Sequence, residues 1–284
     1  MTTVHARVAA ARNTLRAADI PSDEADLDAR LLAEYVLGWT TERYLAESNQ
    51  TPPAGFDAQF DALIARRASR EPYAYIVGHQ EFWGLEFDVS PAVLIPRPET
   101  EFIVEATRDI LAADAKALVA DVGTGSGCLA IAIARERPNA RSVATDLSSA
   151  ALDIARSNAE KFGVADRITF RHTDLLDDVA ETFDIIVSNP PYVRAVDRGG
   201  IQPEVRFEPA GALYAGDDGL GVIRRLVPQA AAQLKSGGTL MLEFGFGQAE
   251  DVTAIIASTP GLTLVVVHED LQGIPRIAIA HRAL

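Results

Sequence analysis

The stretch Ile186–Val193, IVSNPPYV, runs an apolar, strand-like segment into an amide, two prolines and a tyrosine. Neither proline can donate a backbone hydrogen bond, and each holds the residue before it in extended geometry. Asn189 is therefore presented at a fixed angle just beyond the end of a strand. A stiff exit turn would account for that much. The chemistry open to these residues is positional. A planar amide or aromatic amine is a poor nucleophile because its nitrogen lone pair is delocalised, so transfer to it requires that the nitrogen be held in line. Asn189 can accept a hydrogen bond from such an NH2 group through Oδ1, and the carbonyl of Pro190, stiffened by Pro191, can accept another. Tyr192 can stack on the flat group. Asn189, Pro190 and Tyr192 are thus the candidate catalytic residues, in a positioning role that abstracts no proton.

A second set of residues says what could be transferred. Asp121-Val122-Gly123-Thr124-Gly125-Ser126-Gly127 follows an apolar run and opens the helical sequence CLAIAIARE. Glycines at a strand-to-helix turn permit a tight bend and let a ligand approach the backbone. A dinucleotide fingerprint would place its third glycine at position 128, where this chain has Cys128. The next run, RSVATD, ends in Asp146, at the distance expected of a carboxylate that holds ribose hydroxyls. A third acid, Asp174, closes the run after it. Loop and acids at the ends of successive strands point to S-adenosylmethionine, which turns the Asn-Pro-Pro-Tyr segment from an exit turn into a holder of the methyl acceptor. Cys128 sits at a helix start, where a lowered thiol pKa is one reading and a small packing residue the preferred one. The five histidines are scattered and read as surface or edge-strand positions.

The elements that must position these groups follow from two periodicities. Up to about residue 75, the runs 3–18, 22–38 and 56–69 read as amphipathic helices, the second with the stripe Leu27, Leu31, Tyr35 and with Pro21-Ser22 at its start. Residues 79–90 alternate around Gly84 as a hairpin, and the proline-punctuated PAVLIPRPETE follows. Beyond residue 100, strands are expected at 117–122, 141–146, 168–172, 183–188, 239–244, 262–268 and 275–281. Helices are expected at 127–137, 148–161, 219–235 and 248–258. Strands separated by helices imply an α/β, doubly wound, mostly parallel seven-stranded sheet, and two closing strands with no helix between them imply an antiparallel edge. The expected organisation is a small all-helical domain over 1–75 that recognises a partner, a hairpin and linker over 76–100, and a cofactor-binding domain over 101–284.

Composition narrows the classes. A chain of 284 residues with 48% hydrophobic content suffices for two cores. One cysteine precludes an internal disulfide and suits a reducing compartment, and no His/Cys spacing resembles a zinc site, so no metal is expected. The first twenty residues are broken by His5, Arg7, Arg12 and Arg16, unlike a secretory signal, and no run reaches the roughly 20 apolar residues of a membrane span. A formal charge of −14 argues against direct nucleic-acid binding. The expectation is a cytoplasmic monomer that contacts no membrane.

Over most of its length the chain resembles the release factor glutamine methyltransferases. The likeness is carried by EFWGLEF, VLIPRPETE (93–101), DVGTGSG, ATD ending at Asp146, SNPPYV, EPAGALYAGDDGL (208–220) and EDLQGIPRIAIA (269–280). SNPPY alone is shared with amino-methyltransferases of adenine and guanine, whereas IPRPETE joined to the same domain is far more specific. The resemblance implies a class I methyltransferase fold, S-adenosylmethionine as donor, and as acceptor the glutamine of a Gly-Gly-Gln loop in peptide-chain release factors. It implies further that Gly123, Thr124, Gly125, Ser126, Gly127, Asp146 and Asp174 hold the cofactor with Asn189 beside it. Leu175, where many relatives carry an aromatic residue, lies against the adenine. Asn189, Pro190, Pro191 and Tyr192 hold the glutamine amide, and Arg97 and Glu99 line the mouth of the acceptor pocket. The alternatives are a nucleic-acid base amino-methyltransferase, disfavoured by the acidic balance and the lack of a target-recognition insertion, and a binding module without turnover, disfavoured by the intact Asn189 and Tyr192.

Overall fold

A computed structural model describes residues 2–283, which cluster into two compact units, one up to Gly78 together with Gln202–Phe207, the other formed by 79–201 and 208 onward. The first unit is helical: α1 (Val4–Ala17), α2 (Ser22–Leu37), α3 (Thr41–Glu47), α4 (Phe56–Ala68) and α5 (Tyr73–Val77). Thr3 caps α1 by accepting from the Ala6 N–H at 3.1 Å, Thr40 caps α3 through the Arg43 N–H at 3.3 Å, and Gly38, with φ +61°, ends α2 in the left-handed conformation that glycine adopts at least cost. The buried stripe of α1 is Val4, Val8, Ala11 and Leu15, at helical spacing.

The stripe expected on α2 is not the buried one. Leu27 and Tyr35 are 46% and 48% exposed, and the buried face is Ala25, Asp28, Ala29, Leu32 and Ala33. Small alanines let α2 pack closely, and Asp28 is buried because Arg67 of α4, 2% exposed, donates to it at 2.6 Å. Arg67 also donates to Glu204 at 2.8 Å, and Arg70 reaches the other Glu204 oxygen at 2.7 Å, so the 202–207 segment belongs to the helical unit through a partly buried ion cluster. A carboxylate at an interior position is opaque to a hydropathy pattern when its partner lies 39 residues away.

The second unit opens with a hairpin, β1 (His79–Phe82) and β2 (Leu85–Asp88), turned by Trp83 and Gly84, both with positive φ as a two-residue hairpin loop requires. Glu101 accepts from the Trp83 N–H at 2.7 Å, which ties the PETE segment to the hairpin and stabilises the strained turn. Glu101 also begins α6 (Glu101–Ile110), a helix absent from the periodicity reading, which buries Ile103, Val104 and Thr107. Then follow β3 (Leu118–Val122), α7 (Cys128–Glu136), β4 (Arg141–Asp146), α8 (Ser149–Lys161), β5 (Ile168–His172) and β6 (Phe183–Ser188). The chain finishes with α9 (Ala210–Leu213), α10 (Gly221–Gln233), β7 (Leu234–Glu243), α11 (Ala249–Ser258), β8 (Leu262–Glu269) and β9 (Pro275–Arg282). The sheet order is β5-β4-β3-β6-β7-β9-β8, with β9 antiparallel to both of its neighbours. β7 starts five residues before the expected strand because Leu234 already pairs with Phe183 across a bulge.

The order makes the function possible. From β3 the chain winds outward through β4 to β5, then returns to place β6 on the other side of β3. At such a switch point the loops leaving adjacent strands diverge and open a crevice beyond the carboxyl ends. Here those loops carry DVGTGSG after β3 and NPPY after β6. Among the described residues no helix is long and apolar enough to cross a membrane.

Candidate active site

The crevice encloses about 400 Å³, within the range of small-molecule sites. Its glycine-loop wall is held from below. Asp121, at the end of β3, is buried; its Oδ2 accepts from the Thr124 hydroxyl at 2.6 Å and the Ala130 N–H at 3.0 Å, fixing the loop against the first turn of α7. Burial pushes the Asp121 carboxyl up to about 6, with the nearby Asp146 charge adding to it. Gly123 and Gly125 have positive φ, and a Cβ on either would meet nothing within 4 Å, so their backbone faces open space on the crevice side. At Gly127 a Cβ would come within 2.9 Å of Ile131 Cδ1 and 3.2 Å of Ala155 Cβ, so that glycine serves close packing of the helix start.

The opposite rim is acidic. Asp146 accepts from the Gly125 N–H at 2.9 Å and the Ser148 N–H at 2.8 Å, which orients its carboxylate toward the crevice while leaving lone pairs to accept hydroxyls. Asp174 is held by Arg225 at 2.6 Å, and Leu175 beside it has φ +53°, a conformation uncommon for a non-glycine residue. Gly123, Thr124, Gly125, Ser126, Asp146, Asp174 and Leu175 all line the cavity; Gly127 does not. Cys128 lines it too, and burial together with the Asp121 charge pushes its thiol up to about 12, the opposite of activation at a helix start.

The acceptor side is built on β6. The Ser188 hydroxyl donates to the Val122 carbonyl at 2.6 Å, fastening the ends of β3 and β6 together. Asn189 and Pro191 line the cavity; Pro190 and Tyr192 do not, so the wall position expected for the Tyr192 ring is not found. The following chain is pinned by Val193 N–H to Leu213 O (2.8 Å), Ala215 N–H to Val193 O (3.1 Å) and Gln248 Nε2 to Tyr192 O (3.0 Å). Asn189 donates through Nδ2 to the Thr100 hydroxyl at 2.9 Å, and its Oδ1 is buried with no protein partner. Thr100 donates in turn to Glu243 Oε2 at 2.6 Å, and the Tyr192 hydroxyl to Glu243 Oε1 at 3.2 Å. Glu243 is 2% exposed; burial pushes its carboxyl up to about 7, and burial beside this carboxylate raises the Tyr192 phenol. Arg97 lines the cavity and donates to both oxygens of buried Glu208, at 2.6 and 2.8 Å, while Glu99 is half-buried outside the lining. Sequence reasoning left Ser188, Thr100, Glu243, Glu208 and Arg225 without a role. Thr100, Ser188 and Glu208 lie inside the stretches VLIPRPETE, SNPPYV and EPAGALYAGDDGL, and Glu243 ends the apolar run TLMLE.

These residues fit the donor expected of such a crevice: a glycine backbone open to a ligand, a carboxylate oriented for hydroxyls, and a buried amide oxygen awaiting a donor. A doubly wound seven-stranded sheet with this site at its switch point defines a class I methyltransferase whose cofactor is S-adenosylmethionine. Residues 8–78 match the PrmC N-terminal domain and residues 100–202 the methyltransferase small domain. The chain is 41% identical over 271 residues to a release factor glutamine methyltransferase of Koribacter versatilis, covering 94% of each. It is 41% identical over 282 residues to one of Burkholderia pseudomallei, covering 97% of each. A methyltransferase from Pyrococcus furiosus shares the fold with a TM-score of 0.54 at 17% identity, over 80% of this chain and 99% of that one. The chain belongs to the release factor glutamine methyltransferase family.

Proposed function

We propose that this protein methylates the side-chain amide nitrogen of the glutamine in the Gly-Gly-Gln loop of peptide-chain release factors. The observation that carries the reading is Asn189 Oδ1, a buried acceptor with no partner in the protein, on the wall of the crevice that holds the cofactor residues. A buried polar atom left unpaired costs about 1–3 kcal/mol, so an N–H donor entering the crevice recovers that energy. S-adenosylmethionine supplies an electrophilic methyl group. Gly123, Thr124, Gly125 and Ser126, with Asp146, Asp174 and Leu175, would hold it, and Gly127 packs the loop onto the helix start.

Asn189 Oδ1 takes one N–H of the acceptor amide. An acceptor held by a proline-stiffened segment fixes the direction of the amide and of its nitrogen lone pair; the Pro190 carbonyl, expected to take the second N–H, is not on the cavity wall. Pro191 closes the wall behind it, and Arg97, neutralised by Glu208, frames the mouth with Glu99 behind. Tyr192 contributes through its hydroxyl to Glu243, anchoring the segment from behind. No general base is needed before transfer, because the amide nitrogen gives its proton to solvent water only after it has gained the methyl group and the methyl–sulfur bond has broken.

The helical unit holds none of the cavity-lining residues, and we assign it recognition of the whole protein substrate. The enzyme acts as a monomer in the cytoplasm, where its single cysteine stays reduced, and it binds no nucleic acid directly. The test is methyl transfer from labelled cofactor to purified release factor, followed by peptide mapping. Label on the glutamine of the Gly-Gly-Gln loop is expected; label on another residue, or on RNA alone, would overturn the reading. Leu27→Glu combined with Leu45→Glu, on exposed positions of the helical unit, should raise KM for the whole factor and leave turnover of a short Gly-Gly-Gln peptide unchanged.

A further inference from the structure

The amide of Asn189 can face the crevice in either of two ways, differing by a flip that exchanges oxygen for NH2. Only one of them serves a donor: oxygen toward the cavity accepts the acceptor's N–H, whereas NH2 toward the cavity opposes it. The choice is made by Thr100, on the cavity wall beside Asn189, and by Glu243, outside the lining. Thr100 has a single hydroxyl proton, and it is committed to Glu243 Oε2 at 2.6 Å. The Thr100 oxygen can then only accept, and it accepts Asn189 Nδ2 at 2.9 Å. That leaves Oδ1, buried with no protein partner, as the free acceptor of a residue on the crevice wall. Tyr192 spends its own proton on Glu243 Oε1, so both oxygens of the carboxylate are occupied by donors and the direction of every hydrogen bond in the chain is determined.

We infer that Glu243 and Thr100 are positioning residues that set which face of the Asn189 amide meets the acceptor, with the polarity of the relay running from Asn189 through Thr100 to the Glu243 carboxylate. The inference rests on the proposed methyl-acceptor role of Asn189. Protonation of Glu243 would break the polarity, because its O–H would then compete as a donor for the Thr100 oxygen and release the Thr100 proton to turn toward Asn189. The charged and titratable groups around Glu243 are Glu99, which raises its pKa, Arg276, which lowers it, Tyr192, and Cys128, whose thiol the Glu243 charge raises. With burial dominating, the carboxyl sits near 7, so the relay reverses within an accessible pH range. A glutamine amide acceptor does not titrate there, so an acid limb in turnover reports on the enzyme.

Three variants test it. Thr100→Val removes the relay oxygen and keeps the shape; Thr100→Ser keeps the hydroxyl; Glu243→Gln still offers an oxygen to Thr100 but cannot titrate. Thr100→Val should lower turnover on the order of 30-fold while the dissociation constant of the cofactor, measured by calorimetry, stays within about threefold. Thr100→Ser should return turnover to within about fivefold of the parent. Turnover of the parent should fall as pH drops through about 7, and Glu243→Gln should abolish that limb. Independently of either substrate, the Asn189 side-chain NH2 should show slowed hydrogen exchange by NMR in the parent and in Thr100→Ser, and lose it in Thr100→Val. Normal turnover in Thr100→Val, a serine variant as slow as the valine one, an acid limb that survives in Glu243→Gln, or unchanged NH2 exchange in Thr100→Val would each overturn the inference. Failure of the parent to methylate release factor would instead strike the proposed function, and the exchange measurement would still decide the orientation of the amide.

Discussion

Removal of the Asn189 side chain isolates positioning from folding. In Asn189→Ala the crevice loses the Oδ1 acceptor, and the Asn189–Thr100 bond of 2.9 Å is lost with it. The folding cost of that bond is about 1 kcal/mol, and it is offset by removal of an amide oxygen buried without a partner. Thr100 keeps its bond to Glu243, Ser188 keeps its bond to Val122, and Pro190 and Pro191 still stiffen the exit, so the fold and the cofactor wall stay in place. Turnover is another matter. With the Oδ1 acceptor gone the amide is no longer held in line, and misplacements of this kind cost on the order of 100-fold, about 2.7 kcal/mol of barrier. Single-turnover transfer with labelled cofactor, at saturating release factor, measures this directly, with calorimetry and thermal unfolding as controls. Asn189→Asp sharpens the test. Its carboxylate accepts but cannot donate to Thr100, and its charge beside a sulfonium stabilises the bound cofactor at least as much as the transition state, where the positive charge is dispersing. Tighter cofactor binding with slower transfer is expected. Turnover of Asn189→Ala within a few-fold of the parent would refute the reasoning and reduce the segment to a rigid turn.

The remaining predictions concern the walls and the helical unit. Asp146→Ala removes both the proposed ribose acceptor and the partner of the Gly125 and Ser148 N–H groups, and calorimetry should show cofactor binding weakened by about 1–3 kcal/mol. The Asp121 carboxyl is raised from 3.8 to about 6, so the folded state keeps a proton that the unfolded chain has lost. That stabilisation is fully present below pH 3.8 and lost as pH rises toward 6, a decline of about 3 kcal/mol. Asp121→Asn should flatten this limb in denaturant unfolding followed across pH. Arg67→Ala strands buried Asp28, which it holds at 2.6 Å, and leaves Glu204 to Arg70 alone, and chemical denaturation should report a loss of about 3 kcal/mol.

Much of this protein could be read without coordinates, and the legible parts share a physical cause. Strands 141–146, 168–172 and 183–188 coincide with β4, β5 and β6 because buried parallel strands are short apolar runs bounded by polar turns. The glycine loop, Asp146 and the Asn-Pro-Pro-Tyr exit were legible because their chemistry is local: positive φ, a strand-end carboxylate, a proline-stiffened amide. Helix α6 was not, since its apolar residues Ile103 and Val104 follow a proline-rich stretch that masks the helical period. Nor was the buried face of α2, where alanines, Leu32 and a paired aspartate take the place of Leu27 and Tyr35.

What only the tertiary structure decided is how residues distant in the chain complete one another. The sequence alone determined that two loops with the right chemistry leave two strands; the sheet order, with β6 returning beside β3, decided that they open on one crevice. It also brought Thr100 and Glu243 together, 143 residues apart, behind Asn189. Local patterns record what a residue does to its own backbone and its own face of an element. A hydrogen bond whose donor and acceptor sit on different elements leaves no trace in either pattern, and it is set by which strands and helices become neighbours.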